Sequence, residues 1–344
     1  MGVGVSLSGL ASAVANHGAI GVIAAAGIGM KETDFYSNYL QANTRALRAE
    51  IRKARAITKG ILGLNIMVAF SNFGELAAAA IEEGIDIIFS GAGLPLNLPK
   101  YRLPENKTKL VPIVSSGRAA DLICRHWMAK YNYIPDAIVV EGPKAGGHLG
   151  FKREQIFDPE YTLEKLVRDV MKKTKAFARS FGKKIPIIAA GGIFDGADIR
   201  KFADLGVDGF QMGTRFVATD ECDADVEFKN IYINAQPEDI VIIDSPVGMP
   251  GRAIRNKFID DVSSGIKRPV KCPYHCIITC DYKTAPYCIA NALINAQKGK
   301  LKNGFVFAGA NAHKISKIIS IKELIKTLIF EYEQTFLYPL PAAY

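Results

Sequence analysis

Seven short apolar runs, each followed by a helical pattern, constrain the fold of this chain more than any other feature. Most of the runs are rich in β-branched residues, apolar on both faces, and end in glycine or serine. Strands that are buried on both faces read as continuous apolar runs, and alternating βα units are typical of a parallel sheet. The predicted strands cover residues 21–25, 63–68, 86–91, 110–115, 137–141, 185–190 and 209–213.

Helical patterns follow the strands at residues 38–59, 73–83, 118–131, 162–181 and 196–205, which predicts an α/β fold of the TIM-type (β/α)8 barrel class. Such a barrel needs eight strands, and seven can be counted. The chain opens directly on a helical pattern over residues 7–16. We therefore expect the first strand to be missing from this chain and to lie upstream of residue 1. An open, doubly wound sheet is the alternative.

The βα rhythm stops near residue 240, where prolines and glycines such as Pro246, Pro250 and Gly251 interrupt the pattern. This change predicts three parts: a barrel core at residues 1–239, a smaller inserted lobe at 240–290, and C-terminal helices at 291–344 that pack back on the barrel.

Composition excludes several classes of protein. The chain has 344 residues, of which 49% are hydrophobic and 22% charged, as in a folded globular protein. The longest apolar run, residues 18–29, is too short to span a bilayer, and no basic segment precedes it. These features predict a cytoplasmic protein with no membrane partner. The net charge of +9 indicates solvated helix faces or an anionic partner. Nucleic acid is excluded because no aromatic residues are interleaved with the basic ones.

The segment EGPKAGGHLG, residues 141–150, directly follows the fifth predicted strand. Active sites of barrels and of open α/β sheets lie at the carboxyl ends of strands. The two glycines before His148 allow a ligand to approach the backbone closely. An imidazole titrates near neutrality, so it can move a proton or hold an anion. We therefore predict that His148, on a loop, is catalytic.

Two glycine-rich turns follow the last two predicted strands, and together they predict a phosphate cup. Gly191 and Gly192 line one side, and Gly213 and Thr214 line the other. Late strand-end loops of barrels bind phosphate through backbone N–H groups. The alternative is a pair of tight turns without a ligand. Asn65, at the end of a strand, is either a hydrogen-bond partner for a heteroaromatic ring or a core residue satisfied by the backbone.

Four of the six cysteines, Cys272, Cys276, Cys280 and Cys288, lie close together in the chain, and His275 lies among them. Cysteines four residues apart would share one face of a helix. Their spacing matches neither the CxxC zinc sites nor the common iron–sulfur motifs. We therefore predict reduced or buried thiols and no metal.

Several segments together resemble the nitronate monooxygenase family, formerly called 2-nitropropane dioxygenases, which also includes flavin-dependent enoyl-acyl-carrier-protein reductases. The resemblance covers nearly the whole chain, and the order and spacing of its motifs make it specific. The segments are GVGVSLSGLASAVANHGAIGVIAAAG, LGLNIMV, EGPKAGGHLGF, PIIAAGGI, GVDGFQMGTRF, SPVGMPGRAIRN and NALINAQKGKLKNGFVFAGANAHKI.

The resemblance implies a (β/α)8 barrel with an extra lobe that holds FMN non-covalently at the carboxyl ends of the strands. It implies that His148 is the active-site histidine. Glu141 stands where family members commonly carry Gln, and a carboxylate cannot donate a hydrogen bond. The implied FMN contacts are Asn65, Glu141, Gly146, Gly191, Gly192, Gln211, Met212, Gly213 and Thr214.

The activity implied by the resemblance is FMN-dependent oxidation of alkyl nitronates by O2. The alternative is an NAD(P)H-dependent enoyl-acyl-carrier-protein reductase, for which the basic chain would suit an acidic carrier protein. A third reading is a flavin-binding redox sensor that uses the cysteine cluster. A homodimer is compatible with all three readings.

Overall fold

The computed structural model describes residues 2–103, 105, 107–268, 272 and 275–337. Within these residues the chain forms eleven strands and eleven α-helices. The strands are β1 (Gly21–Ala24), β2 (Leu62–Met67), β3 (Ile87–Gly91), β4 (Lys109–Val114), β5 (Ile138–Glu141), β6 (Gly147–His148), β7 (Ile187–Ala190), β8 (Gly209–Gln211), β9 (Ile240–Asp244), β10 (Pro250–Ile254) and β11 (Val306–Phe307).

The α-helices alternate with the first strands and then follow one another more irregularly. They are α1 (Ser8–Asn16), α2 (Tyr39–Ile57), α3 (Phe73–Glu82), α4 (Gly117–Tyr131), α5 (Leu163–Phe181), α6 (Gly196–Asp204), α7 (Thr214–Val217), α8 (Val226–Asn234), α9 (Lys257–Ser263), α10 (Ile289–Gln297) and α11 (Ile321–Leu337). None of these described helices is long and apolar enough to cross a membrane.

A parallel sheet in the order β1-β2-β3-β4-β5-β7-β8 forms the centre of the fold. The register aligns the strand ends, so that Ala24 pairs with Asn65 at one end of the sheet and Ala190 pairs with Gln211 at the other. All seven predicted strands are confirmed, and each bound lies within two residues of the prediction. The α/β class of the chain follows from this sheet and its intervening helices.

The ends of this sheet are brought together by the segment before α1, which gives the sheet its TIM-barrel-like curl. On one side, the backbone N–H of Ala24 in β1 donates to Ser6 O at 2.9 Å. On the other, the N–H of Asp223, beyond β8, donates to Val5 O at 3.2 Å. Among the described residues, β1 and β8 each pair with one strand of the sheet, so seven strands are seen. The strand expected upstream of residue 1 stays a prediction.

The helices cover the sheet with their apolar faces, and their charged faces pair among themselves. In α2 the buried residues Ala42, Leu47, Ile51 and Ala54 recur at helical spacing, which places one stripe against the core. On the opposite face, Arg52 forms an ion pair with Glu83 at 2.6 Å, and other arginines of α2 do the same with neighbouring carboxylates. Part of the chain's positive charge is therefore neutralised in ion pairs on the exposed faces of the helices.

A second, antiparallel sheet lies over the carboxyl ends of the barrel strands. Its central strand, β10, pairs with β9 along one edge and with β6 and then β11 along the other. The prediction that His148 lies on a loop is wrong, because it pairs with Gly251 as part of β6. The sequence pattern missed this sheet because β6 and β11 have two residues each, and β10 begins with a proline. The predicted boundaries at residues 239 and 290 stay predictions.

Candidate functional site

Two adjoining cavities open at the carboxyl ends of the parallel strands, with volumes of about 350 and 190 Å³. They share wall residues that include Glu141, Gly146 and Gln211, so they form one continuous hollow. Every residue that was predicted to bind FMN or to act in catalysis lines it. Asn65 and His148 line the larger cavity, and Gly191, Gly192, Met212, Gly213 and Thr214 line the smaller one.

Backbone rather than side chains forms much of the wall of the smaller cavity. Gly191 and Gly192 have φ angles of +92° and +90°, a conformation that L side chains rarely adopt. A Cβ atom at Gly146 would lie 2.4 Å from the carbonyl carbon of Ala308, so that position also requires glycine. At Gly213 a Cβ would meet no protein atom within 4 Å and would occupy space next to the cavity. This wall suits a compact, anionic group held by backbone N–H donors.

Three wall residues of the smaller cavity escaped the sequence analysis. Gly309 donates its N–H to the Thr214 hydroxyl at 2.9 Å, which fixes the position of that side chain. Lys144 places a cation on the same wall, and its side chain faces Gly192. Tyr232 also lines the cavity. The sequence signals for this part of the wall were the segment EGPKAGGHLG, which contains Lys144, and the segment GFVFAGA at residues 304–310, which contains Gly309.

The larger cavity combines apolar walls with several polar side chains. Phe35, Phe70 and Leu293 are among its apolar residues. The side chains of Asn65, Gln211 and Glu141 line it and form no hydrogen bond with any described residue. These half-buried side chains come from β2, β5 and β8, and their unpaired donors and acceptors are free to bind a polar ligand in the cavity. A flat heteroaromatic ring with donors and acceptors on its edge fits this arrangement.

Burial shifts the ionisation of Glu141. Its carboxyl lies at the junction of the two cavities, where the surrounding protein disfavours the charged form and raises the pKa to about 7. The side chain therefore exists in both protonation states near neutrality. This property distinguishes it from a glutamine, which has a fixed donor and a fixed acceptor.

His148 is held by contacts from the second sheet and from the C-terminal part of the chain. Its Nε2 lies 2.8 Å from the Ser245 hydroxyl, and its ring packs edge-to-face on Phe307 with centroids 4.9 Å apart. Burial lowers the pKa of the imidazole to about 4, so the ring is neutral at physiological pH. The sequence pattern did not identify Ser245, which is 97 residues away in the chain.

The loop between β5 and β6 is fixed by a buried arginine from β10. The Nη1 of Arg252 donates to the carbonyl oxygens of Pro143 at 2.5 Å and Ala145 at 2.7 Å. Burial lowers the pKa of this guanidinium to about 10, which leaves it charged at neutral pH. Arg252 therefore connects the second sheet to the loop that carries Gly146 and leads into His148 in β6.

The cysteine cluster surrounds a third, small cavity of about 20 Å³. Cys276 also lines the larger cavity, and burial raises the pKa of its thiol to about 12. The expectation of a shared helical face is wrong over residues 275–280, which form a bridge to Phe70 and a turn. Within the described part of the chain, no three His, Cys, Asp or Glu side chains are placed to hold a metal ion.

Comparison with known proteins places this geometry in context. The family model for nitronate monooxygenase matches residues 1–331. A Mycobacterium tuberculosis (3aS,4S,5R,7aS)-5-hydroxy-7a-methyl-1-oxo-octahydro-1H-indene-4-carboxyl-CoA dehydrogenase is 29% identical over 256 residues, which cover 74% of this chain and 62% of that protein. A probable nitronate monooxygenase of Staphylococcus aureus is 31% identical over 172 residues, covering 50% and 44%. The matched regions thus span less than two thirds of these relatives.

Two solved structures share the whole architecture. FabK from Thermotoga maritima is 28% identical, with a TM-score of 0.74 over 97% of this chain and 91% of that one. A nitroalkane oxidase from Streptomyces ansochromogenes is 20% identical, with a TM-score of 0.71 over 98% and 95%. The second likeness concerns the fold alone. Both agree with a TIM-barrel-like sheet.

Proposed function

The chain belongs to the nitronate monooxygenase family, and on that premise we propose that it oxidises alkyl nitronates with O2 by means of non-covalently bound FMN. One observation carries the proposal: all ten residues predicted as FMN contacts or as catalytic line one hollow at the carboxyl ends of the strands. In that hollow a backbone-lined cup adjoins a cavity with unpaired polar side chains.

The residues present fit FMN. The turns at Gly191–Gly192 and Gly213–Thr214 would hold its phosphate in the smaller cavity. Asn65 and Gln211 would pair with the edge of the ring in the larger one. The small cup suits one terminal phosphate, and no GxGxxG fingerprint follows a strand, which favours FMN over FAD. Mass spectrometry of the chromophore released by heat tests this, and FAD, or no flavin after reconstitution, would refute it.

When bound, the flavin supplies the redox chemistry by accepting electrons from the substrate. The protein positions the substrate and excludes water. A neutral His148 can hold an anionic nitronate through a ring N–H while Ser245 fixes the orientation of the imidazole. A group with a pKa of about 4 is a weak base at neutral pH. His148 therefore suits a nitronate, which has already lost its α-proton, better than a neutral nitroalkane.

The second candidate is reduction of an enoyl thioester with NAD(P)H as the source of electrons. Two observations favour it. The Mycobacterium tuberculosis relative is named as a dehydrogenase of a carboxyl-CoA, and the apolar walls of the larger cavity can accommodate an acyl chain. An acidic acyl carrier protein would also suit the net charge of +9.

Anaerobic mixing of the holoenzyme with propyl nitronate or with NADH separates the candidates, because bleaching of the flavin absorbance reports electron transfer. If the chain oxidises nitronates, we expect the nitronate to bleach the flavin absorbance and, in air, to cause O2 uptake. Bleaching by NADH alone, followed by turnover of an enoyl thioester, would replace it with the second candidate. No bleaching by either compound would leave a flavin-binding protein without turnover.

A further inference from the structure

Glu141 is the side chain at which the two cavities meet. It is the last residue of β5 and lines both of them. The flanking strands bring no charge to it, because its partner in β7 is Ala190 and the nearest wall residues after β4 are Ser115 and Ser116. On these two sides the neighbours of Glu141 are uncharged, and its pKa is raised by burial against a smaller lowering by the charge of the N-terminal amino group.

The carboxyl of Glu141 has no partner among the described residues. It accepts no hydrogen bond and forms no ion pair with their side chains. Another carboxylate of the chain, Asp223, does have partners. Its oxygens accept hydrogen bonds from the backbone N–H groups of Leu7, Gly9 and Leu10 at 2.7 to 3.2 Å. An unpaired carboxylate in a buried cavity is costly, so it favours binding a proton or a hydrogen-bond donor from a ligand.

The other titratable groups on the walls do not change their charge near neutral pH in the way that Glu141 does. Burial keeps His148 neutral by lowering its pKa to about 4 and keeps Cys276 protonated by raising its pKa to about 12. Burial also raises the pKa of Tyr232. Lys144 provides positive charge on the wall of the smaller cavity, and Tyr39 lines the larger one. Glu141, with a pKa of about 7, is the wall carboxyl that changes its charge near neutrality.

We propose that Glu141 takes up a proton from solvent when the bound flavin is reduced. The inference rests on the FMN binding proposed above. Reduction of a bound flavin by two electrons from the substrate would add negative charge to the cavity. A solvent proton then forms an O–H bond with the Glu141 carboxylate, and no electrons move to or from that residue. The resulting carboxylic acid no longer repels the reduced cofactor and can donate a hydrogen bond to it.

The reduction potential of the holoenzyme, measured from about pH 6 to about pH 9, tests this coupling. Each extra proton taken up per two electrons adds about 30 mV per pH unit to the slope. We expect Glu141→Gln to have a higher potential than the wild type, with a gap that is small at about pH 6. Above about pH 7 the gap should widen by up to about 30 mV per pH unit. The inference is overturned if the gap does not change with pH.

A matched control and a second measurement keep the test independent of one variant. Glu154→Gln removes an exposed carboxylate outside the cavities and should leave the potential unchanged. In the wild type, a reduced-minus-oxidised infrared spectrum at about pH 8 should gain the band of a protonated carboxyl group. Absence of that band in FMN-loaded enzyme overturns this inference alone. A chain that binds no FMN overturns the proposed function instead.

Discussion

Replacing Arg252 by methionine tests how the second sheet supports the site. The substitution removes two charged hydrogen bonds, to Pro143 O and Ala145 O, and leaves both buried carbonyl groups without this donor. Hydrogen bonds to charged groups contribute about 1.5–3 kcal/mol each. Relief of the desolvation cost of a buried guanidinium offsets part of that sum. We therefore expect Arg252→Met to lower the free energy of unfolding by about 2–4 kcal/mol.

Thermal unfolding of the apoprotein measures this loss. The unfolding entropy is about 2.1 cal/mol/K per residue near 60 °C, or about 0.7 kcal/mol/K for 344 residues. The expected decrease in Tm is therefore about 3–6 °C. The dissociation constant of FMN should also rise, since the loop released by the substitution carries Gly146. Titration of the apoprotein with FMN measures that change.

Arg255→Met is the matched control, because Arg255 belongs to the same segment but is exposed and pairs with the exposed Asp260 at 2.7 Å. Exposed ion pairs contribute about 0–1 kcal/mol, so this variant should unfold within about 1.5 °C of the wild type. Equal Tm values for the two variants would refute the reasoning. So would a destabilised Arg252→Met protein whose FMN affinity is unchanged, because the loop would then not depend on the arginine.

Four further predictions follow from the site and its surroundings. His148→Ala should retain FMN and lose about 10²–10³-fold in kcat/KM on its best substrate, whereas the exposed His17→Ala should match the wild type. Gly192→Ala should lower the free energy of unfolding in urea by about 1–2 kcal/mol and weaken FMN binding, because Gly192 has a positive φ. Gly182 also has a positive φ but lies outside the cavities, so Gly182→Ala should lower stability without weakening FMN binding. Burial acts to raise the pKa of Asp136, but hydrogen bonds from Lys183, Tyr133 and Leu110 lower it on balance. Its contribution to stability is therefore present above the unfolded-state pKa and lost as pH falls through the folded value, and urea midpoints of Asp136→Asn should depend less on acid pH. Elemental analysis of anaerobically purified protein should show no stoichiometric zinc or iron; near-stoichiometric metal would revive the redox-sensor reading.

Local patterns in the sequence predicted the parallel sheet well. A strand buried on both faces, such as β2 or β7, appears in the sequence as a continuous apolar run. The run and the residues that end it are neighbours in the chain, so the sequence alone can reveal the strand. The strand-end rule then assigned Asn65, His148 and Gly192 to one edge of the sheet, and all three line the same hollow.

Contacts between distant segments could not be predicted in this way. Ser245 meets His148 across 97 residues, and Arg252 meets Pro143 across 109. Neither residue has a periodic pattern that indicates its partner, because Ser245 lies in a proline-containing turn and Arg252 lies in a short strand that begins with proline. Strands β6 and β11 could not be predicted either, because each has two residues and two residues cannot display an alternating pattern.

The pairing of β6 with β10 determines how this family can be recombined. A chimera that exchanges only the segment from residue 240 onward would replace Ser245, Gly251 and Arg252 together, while His148 and its loop stayed with the barrel. The histidine would then be oriented by a foreign hydroxyl and a foreign strand. An exchange that keeps the active-site geometry has to carry residues 142–149 along with the second sheet, although about a hundred residues separate them in the chain.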